Sequence, residues 1–217
     1  MGEIVVLRHG QTEWSLSGQH TSVTDLPLLP EGEEQARGLR GAFADRAFAA
    51  VWVSPRSRAR RTAELAGLTP TATDEDLVEL DYGGYEGRTT AEISEELGRT
   101  WSVWADGTVP GETPGETLQD VGTRVDRVLD RARPLLGDGD VLLVGHGHVL
   151  RILTARWLGL EPGAGALLAL PAGSYGVLGH EHARAVLTGW GLHRPPTPAA
   201  RPGGRTANPD PGRRPGG

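Results

Sequence analysis

The apolar positions of this chain form short uninterrupted runs separated by longer stretches of helical periodicity. Ile4, Val5, Val6 and Leu7 make one such run, rich in β-branched side chains, and predict a strand buried on both faces. Residues 50–53 and 141–144 predict two more, and residues 167–170 and 175–178 predict further strands. Residues 31–43 follow Pro30 and are rich in helix formers, so a helix is expected there. Ser54 and Pro55 should open a helix running to Ala66, with the serine at the N-cap and the proline at the first helical position. Within residues 116–136, Val121, Val125, Val128, Ala132 and Leu136 fall on one face of a long amphipathic helix. A last helix is expected over residues 149–158. Such alternation predicts an α/β fold, a three-layer α/β/α sandwich around a mostly parallel sheet.

Composition changes this picture at one place. Residues 194–217 hold seven prolines, five glycines and five arginines against one aspartate. A segment so poor in large apolar residues does not offset its ordering entropy, so a disordered tail is expected after a domain spanning residues 1–193. The chain has 217 residues with 37% hydrophobic content, enough for a substantial core. No apolar run approaches the roughly 20 residues of a membrane span. The first apolar run reaches Arg8 with no basic segment ahead of it, and reads as a strand rather than a signal peptide. A cytoplasmic protein is therefore expected. The absence of cysteine excludes disulfides, cysteine-ligated zinc and thiolate chemistry. A net charge of −6 argues against a nucleic-acid partner. A homodimer is kept open.

Candidate chemistry lies at two matching corners. One apolar run ends in Arg8-His9-Gly10, and another ends in Gly145-His146-Gly147. Ligands of open α/β sheets bind outside the carboxyl ends of parallel strands. If the two strands are neighbours, both imidazoles converge on one pocket. A single strand-end histidine is more often a capped surface or core residue; two matching corners reverse that preference. Zinc is the competing reading, encouraged by the His146, His148 and His180, His182 pairs. Arg8 is a poor neighbour for a cation and a good one for phosphate. Four arginines, Arg56, Arg58, Arg60 and Arg61, follow at the start of a predicted helix, where they oppose the helix dipole. A bound anion would account for them; a solvated basic face is the plain alternative. Arg58 and Arg61 share one helix face, and Arg56 and Arg60 another.

Here the residues resemble a family. Leu7-Arg8-His9-Gly10-Gln11-Thr12-Glu13-Trp14 is similar to the signature of the histidine phosphatase superfamily, also called phosphoglycerate-mutase-like. Four further blocks agree in order: Thr24 to Leu28, Ser54 to Glu64, Glu79 to Gly87, and Gly145 to His148. The resemblance implies that His9 is the nucleophile, that Arg8, Arg58 and His146 surround the phosphoryl group, and that Glu79 is the acid/base carboxylate. It implies that Gly147 brings a backbone amide to the phosphate, and that Ser15, Thr21, Ser22 and Tyr82 contact substrate. Ser15 stands where many members have asparagine, and Ser22 where they often have glycine. The resemblance implies no metal and no cofactor.

The implied function is hydrolysis of a small phosphorylated metabolite through phosphohistidine. A phosphoglycerate-type phosphomutase and a non-catalytic phosphate-binding module are the alternatives. Residues 88–115 are short and rich in glycine and proline, which favours an open pocket and hydrolysis over the clamped pocket of a mutase. The run Trp14 to Thr21 also resembles the branch holding sedoheptulose-bisphosphatase-like enzymes and actinobacterial acid phosphatases, which points to a sugar phosphate. Trp101 and Trp104 are candidates for the pocket entrance, although tryptophans so placed are more often core residues.

Overall fold

A computed structural model describes residues 2–193. The predicted tail lies outside the described residues. The strands are β1 (Ile4–Arg8), β2 (Phe48–Val53), β3 (Ala72–Thr73), β4 (Asp140–Gly145), β5 (Tyr175–Glu181) and β6 (Arg184–Leu192). The helices are α1 (Glu13–Ser17), α2 (Pro30–Gly38), α3 (Arg40–Phe43), α4 (Ser57–Leu65), α5 (Thr90–Leu97), α6 (Val103–Asp106), α7 (Leu118–Ala132) and α8 (Gly147–Trp157). One sheet of six strands runs in the order β3-β2-β4-β1-β5-β6.

The first four strands of that order are parallel, while β5 and β6 are antiparallel to their neighbours. The fold is thus the expected sandwich, around a mixed sheet. Successive strand residues point to opposite faces, and both faces are covered. Ile4, Val6, Val141 and Leu143 pack on the layer of α7 and α8. Val5, Leu7, Leu142 and Val144 pack with Leu39, Phe43, Ala59 and Ala63 of the other layer. Burial on two sides is why these strands read as continuous apolar runs. Helix α7 carries its predicted stripe inward, with Val121, Val125, Val128 and Ala132 fully buried. Thr117 and Asp120 form its capping box. Among the described residues, no helix is long and apolar enough to cross a membrane.

Three local expectations are corrected, and one strand has no counterpart among them. The segment 31–43 is two helices that part at Leu39, a buried residue that anchors the break. Residues 167–170 form no strand: a 3₁₀ helix, Pro162–Leu167, occupies the region, and Leu167 is 84% exposed. Strand β6 was not anticipated, because His182 turns the β5–β6 hairpin at φ 56° where glycine or asparagine is the usual turn signal. Finally, Ser54 does not cap α4. Its amide donates to Val144 O, which keeps it in the sheet, and the helix starts three residues later. Asp25 caps that helix from outside, accepting from the Ser57 amide at 2.9 and 3.1 Å and from the Ser57 hydroxyl. A carboxylate imported from the loop before α2 therefore offsets the basic residues of the first turn.

The two His-Gly corners are neighbours, as expected. β1 and β4 pair in parallel with Arg8 opposite Gly145, so both chains leave the sheet at the same edge. The glycine at the first corner serves packing. A Cβ on Gly10 would stand 2.3 Å from the carbonyl oxygen of Gly32, so the turn lies directly on the first turn of α2.

Candidate active site

A cleft of about 160 Å³ opens at the carboxyl ends of β1 and β4. Its walls are Arg8, His9, Trp14, Ser15, Gly18, Gln19, His20, Thr21, Glu79, Tyr82 and His148. His9 is 5% exposed, at its base. Its Nδ1 lies 2.8 Å from the carbonyl oxygen of Gly10. A carbonyl can only accept, so Nδ1 carries the ring proton and Nε2 keeps its lone pair. Burial, followed by the charges of Arg8 and Arg58, holds His9 well below the ordinary 6.5. The imidazole is thus neutral at physiological pH, with its Nε2 lone pair free.

Arg8 reaches the cleft from the end of β1. Its Nη1 donates to Leu170 O at 2.7 Å, and its buried Nε has no protein partner. A Cβ on Gly147 would sit 3.2 Å from the Arg8 guanidinium, so glycine at that corner leaves room for the cation.

Glu79 is 6% exposed and stands at the N-terminus of α8. Its Oε2 accepts from the His148 amide at 3.1 Å. Its Oε1 accepts from the amides of Val149 and Leu80, both at 2.9 Å. The carboxylate therefore caps α8 while facing the cleft.

His146 and Arg58 form a layer behind His9. Both are completely buried, and neither side chain reaches the cleft wall. The rings of His9 and His146 meet edge to face with centroids 5.1 Å apart. Arg58 Nε donates to His146 Nδ1 at 3.2 Å, which puts the His146 proton on Nε2, 2.8 Å from Ser54 Oγ. The remaining Arg58 nitrogens donate to the carbonyls of Thr24, Ser22 and Thr21, and Asp25 lies 3.6 Å away. Arg61, on the nominally shared helix face, turns instead to Glu33 and Glu64.

The other expected contacts divide. Ser15, Thr21 and Tyr82 line the cleft. The Ser15 hydroxyl is engaged in the capping box of α1, accepting from the Thr12 amide at 2.8 Å. Ser22 is turned away from the cleft: its hydroxyl and amide both donate to Glu86. Glu86 also accepts from the Thr24 amide. Gly147 lies at the start of α8, outside the cleft wall.

Sequence reasoning did not assign His148, His20 or Gln19 to the cleft. His148 follows His146 by two residues on the first turn of α8, and Tyr82 Oη lies 2.7 Å from its Nδ1. His20 stacks on Tyr82 at 4.6 Å, and the Gln19 side chain donates to Gly87 O. The spacing of His146 and His148 offers a sequence signal for the first, and the run Trp14 to Thr21, singled out by resemblance, contains the other two. Trp101 is 2% exposed and belongs to the core, while Trp104 stacks on His148 at 4.9 Å from behind. His180 and His182 lie beyond the amino end of β1, at the opposite edge of the sheet. Among the described residues, no group of three His, Cys, Asp or Glu side chains is placed to hold a metal ion.

Two buried imidazoles, His9 and His146, and the half-buried His148 give the fold an acid limit. Burial is the first cause that lowers His146 and His148, as it is for His9. Neighbouring His9 and the arginines add to it at His146, and Arg151 adds to it at His148. Above pH 6.5 these rings are neutral in the folded and unfolded chain alike. Below it the unfolded chain binds protons first, so stability falls with falling pH until the depressed folded values are reached. Each histidine contributes a slope of about 1.4 kcal/mol per pH unit. Urea unfolding from pH 7 to 5 should show this loss, and His148→Gln should shallow it by about one proton. A flat profile would contradict the lowered values of these rings.

Comparisons with known proteins place the chain in a family. An acid phosphatase of Mycobacterium tuberculosis is 38% identical over 200 residues, spanning 91% of this chain and 96% of that protein. Sedoheptulose 1,7-bisphosphatase of Saccharomyces cerevisiae is 38% identical over 187 residues, 72% of this chain and 67% of its own length. A solved structure of an open reading frame product from Mycobacterium tuberculosis superposes with a TM-score of 0.83 at 36% identity, covering 88% of this chain and 98% of that one. The family model described as histidine phosphatase superfamily, branch 1, matches residues 4–193. From its first strand to the end of its sheet, the chain belongs to the histidine phosphatase superfamily.

Proposed function

We propose that this protein is a phosphomonoesterase that hydrolyses a small phosphorylated metabolite, a sugar phosphate or bisphosphate, through a phosphohistidine at His9. The observation that carries the reading is a neutral imidazole with Nε2 free, in one cleft with Arg8 and Glu79. The volume of that cleft, about 160 Å³, suits a small leaving group. The acid phosphatase and sedoheptulose bisphosphatase relatives support the substrate class.

In the first half-reaction His9 Nε2 attacks phosphorus, and the P–N bond forms as the ester P–O bond breaks. Glu79 gives its proton to the departing alkoxide. Arg8 meets the phosphoryl oxygens from the cleft wall, and Arg58 adds positive charge from behind the nucleophile. In the second half-reaction Glu79 takes a proton from water, whose oxygen bonds phosphorus as the P–N bond breaks. His9 is regenerated and inorganic phosphate leaves. Ser15, Thr21 and Tyr82 contact the leaving group. We place this activity in the cytoplasm, where such metabolites occur.

The test is phosphate release from sugar phosphates, phosphoglycerates, nucleotides and phosphopeptides, with and without EDTA. Release from sugar phosphates that is indifferent to chelator is expected. Interconversion of phosphoglycerates that needs a priming bisphosphate would replace this reading with a mutase. Binding without turnover would make the protein a phosphate-binding module.

A further inference from the structure

We infer that Arg124, on α7, is a positioning residue for Glu79, acting through a strap that joins α7 to the backbone on either side of that carboxylate. Arg124 is 6% exposed and does not line the cleft. Its Nη1 donates to the carbonyls of Asp76 at 2.7 Å and Val78 at 2.8 Å, the latter immediately before Glu79. Its Nε and Nη2 grip both carboxylate oxygens of Glu116, at 2.9 and 3.0 Å. Glu116 closes the strap. Its Oε2 accepts from the Asp81 amide at 3.0 Å, and its own amide donates to Asp81 O at 2.8 Å. The segment from Asp76 to Asp81 is thus held at both ends by one ion pair, with Glu79 in the middle.

The arrangement is specific to a guanidinium. It is planar, with donors in a fixed fork that serves two carbonyls on one side and a carboxylate on the other. Lysine, a point charge with three donors, cannot reach both groups in that geometry. Residues 76–81 contain only a short 3₁₀ helix, Glu75–Leu77, so the backbone beside Glu79 is held by tertiary contacts: the buried Leu77 and Leu80 side chains, the ion pairs of Asp76 with Arg127 and Arg131, and this strap. The other anchor is the carboxylate itself, on the first turn of α8. Between those anchors, the strap sets how far the carboxyl group stands from the leaving-group oxygen. A displacement of about 1 Å at such a group costs on the order of 10²-fold in rate.

This inference rests on the proposed role of Glu79, and its test separates the two. Arg124→Met and Glu116→Gln are compared with the unaltered chain on an alkyl phosphate and on p-nitrophenyl phosphate. An alkoxide needs a proton from Glu79 to leave; p-nitrophenolate does not. First-turnover release of alcohol should fall about 10- to 100-fold in Arg124→Met, with KM nearly unchanged. The p-nitrophenol burst should stay within about 3-fold. Glu116→Gln, which keeps its shape, should show the same selectivity at smaller size and guards against an Arg124 variant that fails to fold. In a Glu79→Gln background, Arg124→Met should cost nothing further, because the two act as one unit. Equal losses on both substrates, or additive losses in the double variant, would overturn the positioning role. If Glu79→Gln itself leaves alcohol release intact, the proposed role of Glu79 has failed instead.

Discussion

His9→Ala should lower turnover of a sugar phosphate by roughly 10⁴-fold or more, the scale seen when a covalent nucleophile is removed. That ratio corresponds to about 5.5 kcal/mol of transition-state stabilisation. The reason is geometric as well as chemical. His9 has one ring nitrogen tied to Gly10 O, which leaves Nε2 free for attack. The neighbouring imidazole is no substitute, because Arg58 and Ser54 occupy both nitrogens of His146. Rapid quench with labelled substrate should trap an acid-labile, alkali-stable phosphoenzyme in the unaltered chain and none in His9→Ala. Full turnover in the variant, or an undiminished phosphoenzyme, would remove His9 from the mechanism.

Glu79→Gln should cost about 10²- to 10⁴-fold in turnover, the range for losing a positioned proton donor. The loss should grow as the leaving group becomes more basic, since only a poor leaving group needs the proton. The same change should also weaken the fold. Glu79 caps α8 with both oxygens, accepting from the amides of His148, Val149 and Leu80. A glutamine has one acceptor and one NH₂, so one of these contacts becomes donor against donor. A destabilisation of about 1–3 kcal/mol is expected. Turnover against leaving-group pKa and urea unfolding read the two effects separately. A uniform small loss of rate, indifferent to leaving group, would assign Glu79 to capping alone.

These two residues differ in how openly the sequence announced them. His9 ends an apolar run, and strand-end position follows directly from local pattern. Glu79 precedes a glycine-rich stretch with no periodicity of its own, and only resemblance singled it out. The structure supplies the missing context, since the carboxylate is placed by the first turn of a helix nearly 70 residues later in the chain.

The arginines make the contrast sharper. Helical spacing put Arg58 and Arg61 on one face, yet only Arg58 turns inward. Packing decides this. Ala59, Thr62 and Ala63 are buried in the interior, and Thr62 Oγ1 accepts from the Gly10 amide at 3.0 Å. That orientation sends Arg61 out to meet Glu33 of α2. Gln19 and His20 lie in the run that resemblance singles out, but their place in the cleft wall depends on a bridge between Gln19 and Thr89. The strap from Arg124 to residues 76–81 is of the same kind.

Local pattern along the chain marks which strands are buried on two faces, where two histidines leave the sheet, and which helix carries the long apolar stripe. Each follows from periodicity, which is a property of neighbours along the chain. Only the folded chain puts Arg58 and His146 behind His9 while His148 and His20 face the cleft. Those assignments depend on how far each helix is rotated about its axis and on which distant backbone meets it. Rotation and pairing are fixed by packing many elements at once, so no local pattern records them.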